Sequence, residues 1–140
     1  MPGDVTPTAL RMSHPDRVAA TPCRVAVVDD DDAVRRALGR LLRVTGHQVR
    51  TYASAEEFLG AAPCDVDCLV LDVYLGGMNG YDLHSLLTAV GQAPPTVFVT
   101  AHDDVKVAAM SLRTDGECLR KPFDDDHLLG AIARACTKVQ

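Results

Sequence analysis

No apolar run in the 140 residues approaches the roughly 18 that a membrane-spanning helix requires. The opening stretch MPGDVTPTALRMSHPDRVAATP lacks the apolar middle of a secretory signal peptide. Surplus positive charge is missing as well. Lys and Arg number 14 against 19 Asp and Glu, a net charge of −5, which argues against a surface that coats nucleic acid. Paired cysteine spacing is a further absence. Cys23, Cys64, Cys68, Cys118 and Cys136 are odd in number and irregularly placed, whereas a disulfide framework or a zinc site shows paired spacing. Cys64 and Cys68 have no second pair to complete a tetrahedral site. The expectation is a cytoplasmic protein whose thiols are buried or idle in a reducing compartment.

What is present suits one globular domain. Hydrophobic residues make up 47% of the chain and charged residues 24%, enough to fill a core and coat it. Residues 1–22 hold four of the eight prolines and no sustained periodicity, so they read as a flexible N-terminal tail ahead of a folded domain over 23–140. Within that domain short apolar runs alternate with amphipathic segments. Arg24–Val28 is a valine-rich strand. Val34, Ala37, Leu38, Leu41 and Leu42 fall at helical spacing, with Gly46 where the helix stops. Gln48–Tyr52 alternates as a strand, and Ser54 to Glu57 form a capping box that opens a short helix carrying Phe58 and Leu59. CLVL, 68–71, is a fully apolar strand, followed by the glycine-rich turn LGGMNG at 75–80. Leu83, Leu86, Leu87 and Val90 mark a third helix, and TVFV, 96–99, a fourth strand. Val105, Ala108, Ala109 and Leu112 mark a fourth helix capped by Asp103 or Asp104. Glu117–Leu119 is a brief fifth strand, and Leu128, Leu129 and Ile132 stripe the last helix.

The order is (βα) five times. Continuous apolar strands between helices imply a doubly wound parallel sheet covered on both faces, and ligands of such sheets sit beyond the carboxyl ends of the strands. Asp29 to Asp32 lie past the first strand, Asp72 past the third, Thr100 past the fourth, and Lys121, followed by Pro122, past the fifth. Two carboxylates ~4 Å apart at an effective dielectric near 20 repel by about 4 kcal/mol, so they protonate or separate unless a cation joins them. Oxygen ligands with no histidine or cysteine favour Mg²⁺ over zinc, and Mg²⁺ shares its shell with water and phosphate oxygens. A lysine and a threonine across the same edge complete a phosphate cradle. Asp31 and Asp32 are expected to face solvent at the helix start, where negative charge suits the helix dipole. Each feature alone has a plainer reading: an aspartate run before a helix is commonly a cap, and an Asp after a strand commonly a turn residue. Their joint placement, each after a different apolar strand, makes the case.

From about Arg24 to Cys136 the chain resembles a bacterial response-regulator receiver domain. VVDDDDAVRRAL resembles the acidic-pair segment of that family, LVLDVYLGGMNGYDL its phosphoacceptor segment, and TVFVTAHDD and LRKPF the segments carrying threonine and lysine. YASAEEFL and KPFDDDHLLGAI are most similar to receivers placed ahead of LuxR-type DNA-binding outputs. The resemblance implies a flavodoxin-like sheet with strand order 2-1-3-4-5. It makes Asp72 the phosphoacceptor, Asp30 a direct Mg²⁺ ligand, Asp29 a ligand acting mainly through water, and the backbone carbonyl of Tyr74 the third protein ligand. It makes Lys121 and Thr100 the groups that hold the phosphoryl, and it implies a cis Lys121–Pro122 peptide. The sequence departs from the family at Gly76, where a proline is frequent, at Cys118, where an aromatic switch residue is usual, and near Thr114–Gly116, which is about one residue short.

The implied activity is transfer of a phosphoryl group to Asp72 from the phosphohistidine of a sensor histidine kinase or a histidine phosphotransfer protein, followed by slow hydrolysis. That is a switch that catalyses its own modification rather than an enzyme acting on a substrate. The implied output surface is the face of the fourth helix, fifth strand and fifth helix, used for a homodimer or a target protein. No nucleic acid is contacted by the domain itself and no membrane is involved. With Cys118 too small to turn like a ring, the signal from Thr100 is expected to pass through the backbone of Ala101–Asp104. Two other classes fit less well. A pseudo-receiver working only by protein contact would lack an acceptor, a metal ligand or the lysine. A haloacid-dehalogenase-type phosphatase would place its nucleophile after the first strand and leave Asp72 idle.

Overall fold

The computed structural model describes residues 22–101 and 117–137. Nine elements follow one another: β1 (Arg24–Val28), α1 (Asp32–Val44), β2 (Gln48–Tyr52), α2 (Ala55–Ala61), β3 (Cys68–Asp72), α3 (Gly80–Ala89), β4 (Thr96–Thr100), β5 (Glu117–Arg120) and α4 (Asp125–Thr137). The five strands form one parallel sheet in the order β2-β1-β3-β4-β5, as the resemblance implies. The helix marked by Val105 to Leu112, its cap at Asp103 or Asp104, His102, and Thr114–Gly116 lie outside the described residues, as do residues 1–21 of the expected tail.

Side-chain alternation along the buried strands divides the core in two. Val25 and Val27 of β1, Val70 of β3, and Val97 and Val99 of β4 point to the face covered by Leu38 and Leu42 of α1 and by Leu128, Ala131 and Ile132 of α4. Ala26, Val28, Leu69, Leu71 and Phe98 point to the other face, under Phe58 of α2 and Leu83 and Leu87 of α3. Leu42 and Leu128 are fully buried, each worth roughly 1.5–3 kcal/mol in transfer from water.

Local signals fix the helix starts. Asp31 Oδ1 accepts the N–H groups of Ala33 (2.9 Å) and Val34 (3.3 Å), so Asp31 caps α1 and Asp32 faces solvent in its first turn. Ser54 Oγ accepts the N–H of Glu57 at 3.0 Å, while the Glu57 carboxylate reaches one residue further back than a standard capping box, to the N–H of Ala53. α1 ends with Gly46 at φ +99°, a conformation that favours glycine.

Three strand ends differ from the sequence reading. β3 runs through Asp72, β4 through Thr100 and β5 through Arg120, because the ladder continues past the apolar run: Asp72 pairs with Val99 and Thr100 with Arg120. The glutamate in β5 is accommodated by Arg134 of α4, which grips Glu117 through Nε at 2.6 Å and Nη2 at 2.8 Å.

The expectation for the cysteines is overturned in one respect. Cys23 and Cys136 form a disulfide across 113 residues of sequence. Topology makes the pair: the residue before β1 and the last turn of α4 meet on the face where that helix packs. Irregular spacing along the chain carries no trace of this. Cys64, Cys68 and Cys118 are free.

Candidate functional site

β1 and β3 lie side by side in the middle of the sheet and deliver their carboxylates to one edge. Ligand oxygens of Asp29, Asp30 and Asp72 all lie within 4.8 Å of one another. Asp29 is 1% exposed and Asp72 5% exposed, whereas Asp30 is open to solvent. Lys121, just beyond β5, places its ammonium 3.0 Å from Asp29 Oδ2 and 3.5 Å from Asp72 Oδ2. The Lys121 N–H donates to the Thr100 carbonyl at 2.7 Å, which joins the ends of β4 and β5 beside the pocket. The Lys121–Pro122 peptide is cis.

Among the described residues three carboxylates face one ammonium, and the electrostatics show the imbalance. Burial, then the Asp29 charge, push the Asp72 carboxyl up to about 6; Lys121 and the N–H of Tyr74 pull against this, and Asp30 adds to it. Burial works against the Lys121 ammonium. The hydrogen bond to Asp29 and the charges of Asp72 and Asp29 outweigh that effect, and Lys121 titrates above its usual value. A set of oxygen ligands, buried on one side and open on the other, fits a hard divalent cation that keeps part of its water shell. The donor chemistry therefore fits Mg²⁺ held by Asp29, Asp30 and Asp72.

The remaining residues singled out in the sequence fall around this pocket. Tyr74 donates its N–H to Asp72 Oδ1 at 3.1 Å, and its side chain is 40% exposed. Thr100 is buried as the last residue of β4. Cys118 lies opposite Phe98 in the β4–β5 ladder, half-buried against the core cluster under α2 and α3.

Three supporting residues escape a reading of the sequence. Arg35 on α1 donates from Nη1 to the Asp29 carbonyl at 2.7 Å and from Nη2 to Asp32 at 2.7 Å, which fixes the turn bearing the acidic pair. Glu56 on α2 accepts the N–H of Met78 at 3.0 Å, across 22 residues, and so ties down the loop after the phosphoacceptor candidate. Gly80 opens α3 against the end of β3: a Cβ there would stand 2.5 Å from the Asp72 carbonyl oxygen and 2.9 Å from Val73 Cα. Only Gly80 leaves a signal, as the last glycine of the turn LGGMNG. The other two depend on approaches made by the tertiary fold.

Known proteins bear on this geometry. The response regulator receiver domain family matches residues 25–133. The chain is 39% identical over 110 residues to the transcriptional regulatory protein FixJ of Azorhizobium caulinodans, covering 77% of this chain and 52% of that protein. It is 36% identical over 115 residues to the response regulator protein TmoT of Ectopseudomonas mendocina, covering 79% and 51%. Thus it spans about half the length of these curated relatives. Among solved structures, the response regulator StyR superposes with a TM-score of 0.77 at 38% identity, covering 84% of this chain and 61% of that one. FixJ-N superposes at 0.74 and 33% identity, covering 84% and 95%. With a family match over most of its length and with the acidic pocket at the carboxyl edge of its sheet, the chain belongs to the response regulator receiver domains of two-component signalling.

Proposed function

We propose that this domain is a phosphorylation switch, modified on Asp72 by a histidine kinase or histidine phosphotransfer protein in a Mg²⁺-dependent reaction. The observation that carries the reading is the convergence of Asp29, Asp30, Asp72 and Lys121, from three separate strands, on one sheet edge. A cytoplasmic location, where such donor proteins present their phosphohistidines, goes with it.

Each side chain has a distinct task. Asp72 Oδ attacks phosphorus in line with the departing imidazole nitrogen, forming an aspartyl phosphate. Lys121 moves from sharing two carboxylates to neutralising a phosphoryl oxygen. Thr100 donates its hydroxyl to another oxygen of the transferred group. Asp30 and Asp72 would hold the cation directly, with the Tyr74 carbonyl as the third protein ligand and Asp29 acting mainly through a bound water. The bound Mg²⁺ supplies Lewis-acid neutralisation of charge on the phosphoryl oxygens. Asp72 must be ionised to attack, and positive charge held beside it would lower its raised pKa and widen the pH range over which it is ionised. Hydrolysis by water then resets the switch. Dimerisation or target binding through β5, α4 and the helix expected between Thr100 and Glu117 completes the proposed output.

The test is to incubate the protein with a small acyl phosphate, with and without Mg²⁺, and map the adduct by mass spectrometry. Asp72 alone should be labelled, and only with the cation. Label on Asp31, or equal label in chelator, defeats the proposal. A pseudo-receiver would take no label.

A further inference from the structure

At the other end of β1, roughly 16 Å from the acidic pocket for a five-residue strand, a second group of reactive side chains has no part in the reaction above. Cys23 and Cys136 are joined there, 7% and 8% exposed. Several contacts converge on Cys23. Its N–H donates to His47 Nδ1 at 3.1 Å, and its Sγ lies 3.5 Å from the same nitrogen. Its carbonyl accepts the N–H of Gln48, the first residue of β2, at 3.0 Å. Since Nδ1 accepts from a backbone amide, the proton of the neutral ring sits on Nε2. Burial keeps His47 below the usual histidine range, so a neutral acceptor stands beside the Cys23 sulfur. The free cysteines contrast with this: burial pushes the Cys68 thiol up to about 12 and raises that of Cys118.

Both sulfurs belong to element ends. Exposed Pro22 precedes Cys23, and exposed Thr137 follows Cys136 in the last turn of α4. Fraying at such ends exposes a buried sulfur without opening the sheet.

We infer that Cys23, Cys136 and His47 form a reversible thiol–disulfide site, exchanging with small thiol–disulfide couples of the glutathione class, that fastens α4 to the first strand when oxidised and releases its last turn when reduced. In the oxidising direction His47 Nδ1 releases the Cys23 backbone N–H and takes the Cys23 thiol proton, and the Cys23 sulfur attacks a small disulfide RSSR. One RS⁻ leaves and takes that proton. The Cys136 sulfur then attacks the Cys23 sulfur of the mixed disulfide and expels the second RS⁻, which takes the Cys136 proton. Two protein thiols are oxidised to one disulfide, and one RSSR is reduced to two RSH. Excess RSH drives the reverse. Leu128 and Ile132 keep α4 docked in either state, so the change is confined to its last turn. That turn carries Arg134, the partner of Glu117 in β5, which extends the effect to the sheet edge.

The full chain is equilibrated in oxidised and then reduced glutathione without denaturant, alkylated, and mapped as peptides, with amide exchange followed in parallel. A Cys23–Cys136 cross-linked peptide is expected in the oxidised buffer, lost on reduction and regained on reoxidation. Exchange in the last turn of α4 should quicken about tenfold on reduction, while the Cys136→Ala variant shows one rate in both buffers. No cross-link, a cross-link that resists reduction in the folded chain, or unchanged exchange overturns the inference. In Cys136→Ala, adding His47→Leu should slow alkylation of Cys23 about fivefold against Cys64 as internal reference. His47→Gln, an amide that accepts a hydrogen bond but takes no proton, should slow it similarly and serves if the leucine variant does not fold. Equal rates in all of these remove His47 from the site. Asp72 should accept phosphoryl groups in both redox states; failure there strikes the phosphoacceptor assignment and leaves this one standing.

Discussion

Asp72 keeps its proton up to about pH 6 because it is buried and stands beside the Asp29 charge. That has a measurable sign. The folded-state pKa lies above the unfolded one, so ionisation of Asp72 costs stability above about pH 6, and the cost fades as pH falls through that value. His47 and His84 run the other way: burial lowers both, so they cost stability as pH drops below their unfolded value. The wild-type profile therefore mixes signs, and the comparison with Asp72→Asn isolates the aspartate. Without divalent cation at about pH 8, Asp72→Asn should be more stable by about 1–2 kcal/mol, less than the full shift implies because water reaches the open side of the pocket. The gap should close by about pH 4, near the unfolded pKa of an aspartate, and shrink on adding Mg²⁺. Urea unfolding of both proteins at the two pH values checks this, and a gap that widens on acidification refutes it. Tyr74 offers a second single-residue test. Its half-exposed ring, two residues from the acceptor, should screen the phosphoryl group from water, so Tyr74→Ala should lose the aspartyl phosphate about threefold faster, a barrier change under ~1 kcal/mol. Unchanged or slower decay would show that the ring only faces solvent.

Elements meet most tightly where α3 begins. Gly80 lets the first turn of that helix lie on the last residues of β3, and its N–H donates to the Val73 carbonyl at 2.9 Å. Gly80→Ala should cost about 2–3 kcal/mol, the upper range of overpacking effects, and should weaken Mg²⁺ binding because the clash falls on the Asp72 backbone. Denaturant midpoints and a metal titration would show both effects, and normal metal affinity would place the clash elsewhere. At this scale the sequence is both most and least legible. Short valine- and leucine-rich runs announce β1, β3 and β4, since strands covered on both faces need apolar residues on both sides. Asp72 and Thr100 were placed beyond their strands because polarity ended the run, although the hydrogen-bonded ladder carries on through them. The Cys23–Cys136 bond left no sign in the spacing, since two ends far apart in sequence meet only after the fold forms.

For the whole molecule, the parallel sheet is legible because apolar strands alternate with helices, its strand order comes with the family resemblance, and the acidic pocket follows because its chemical residues come at the ends of different strands. The struts Arg35 and Glu56 were not, since a surface-type residue on a helix says nothing of which loop it will reach. Long-range coupling is open to test at this scale. Thr100 ends β4 and its carbonyl holds the Lys121 amide, whereas Cys118 is small and half-buried. With beryllofluoride as phosphoryl mimic, Thr100→Ala should abolish the change in self-association or in chemical shifts of β5 and α4, while Cys118→Ala keeps it. A ligand moves such an equilibrium only through its differential interaction with the two states. Equal loss in both variants would make Cys118 itself the switch.

The position of Lys121 has a consequence for the order in which the chain is made. All three carboxylates of the pocket are translated by Asp72, and β1 and β3, which carry them, are direct neighbours in the sheet. Their ammonium counterpart arrives only with the last strand. A nascent chain halted between the two would gather an acid cluster with nothing to balance it. A divalent cation drawn to that cluster would then stand in for a lysine not yet synthesised.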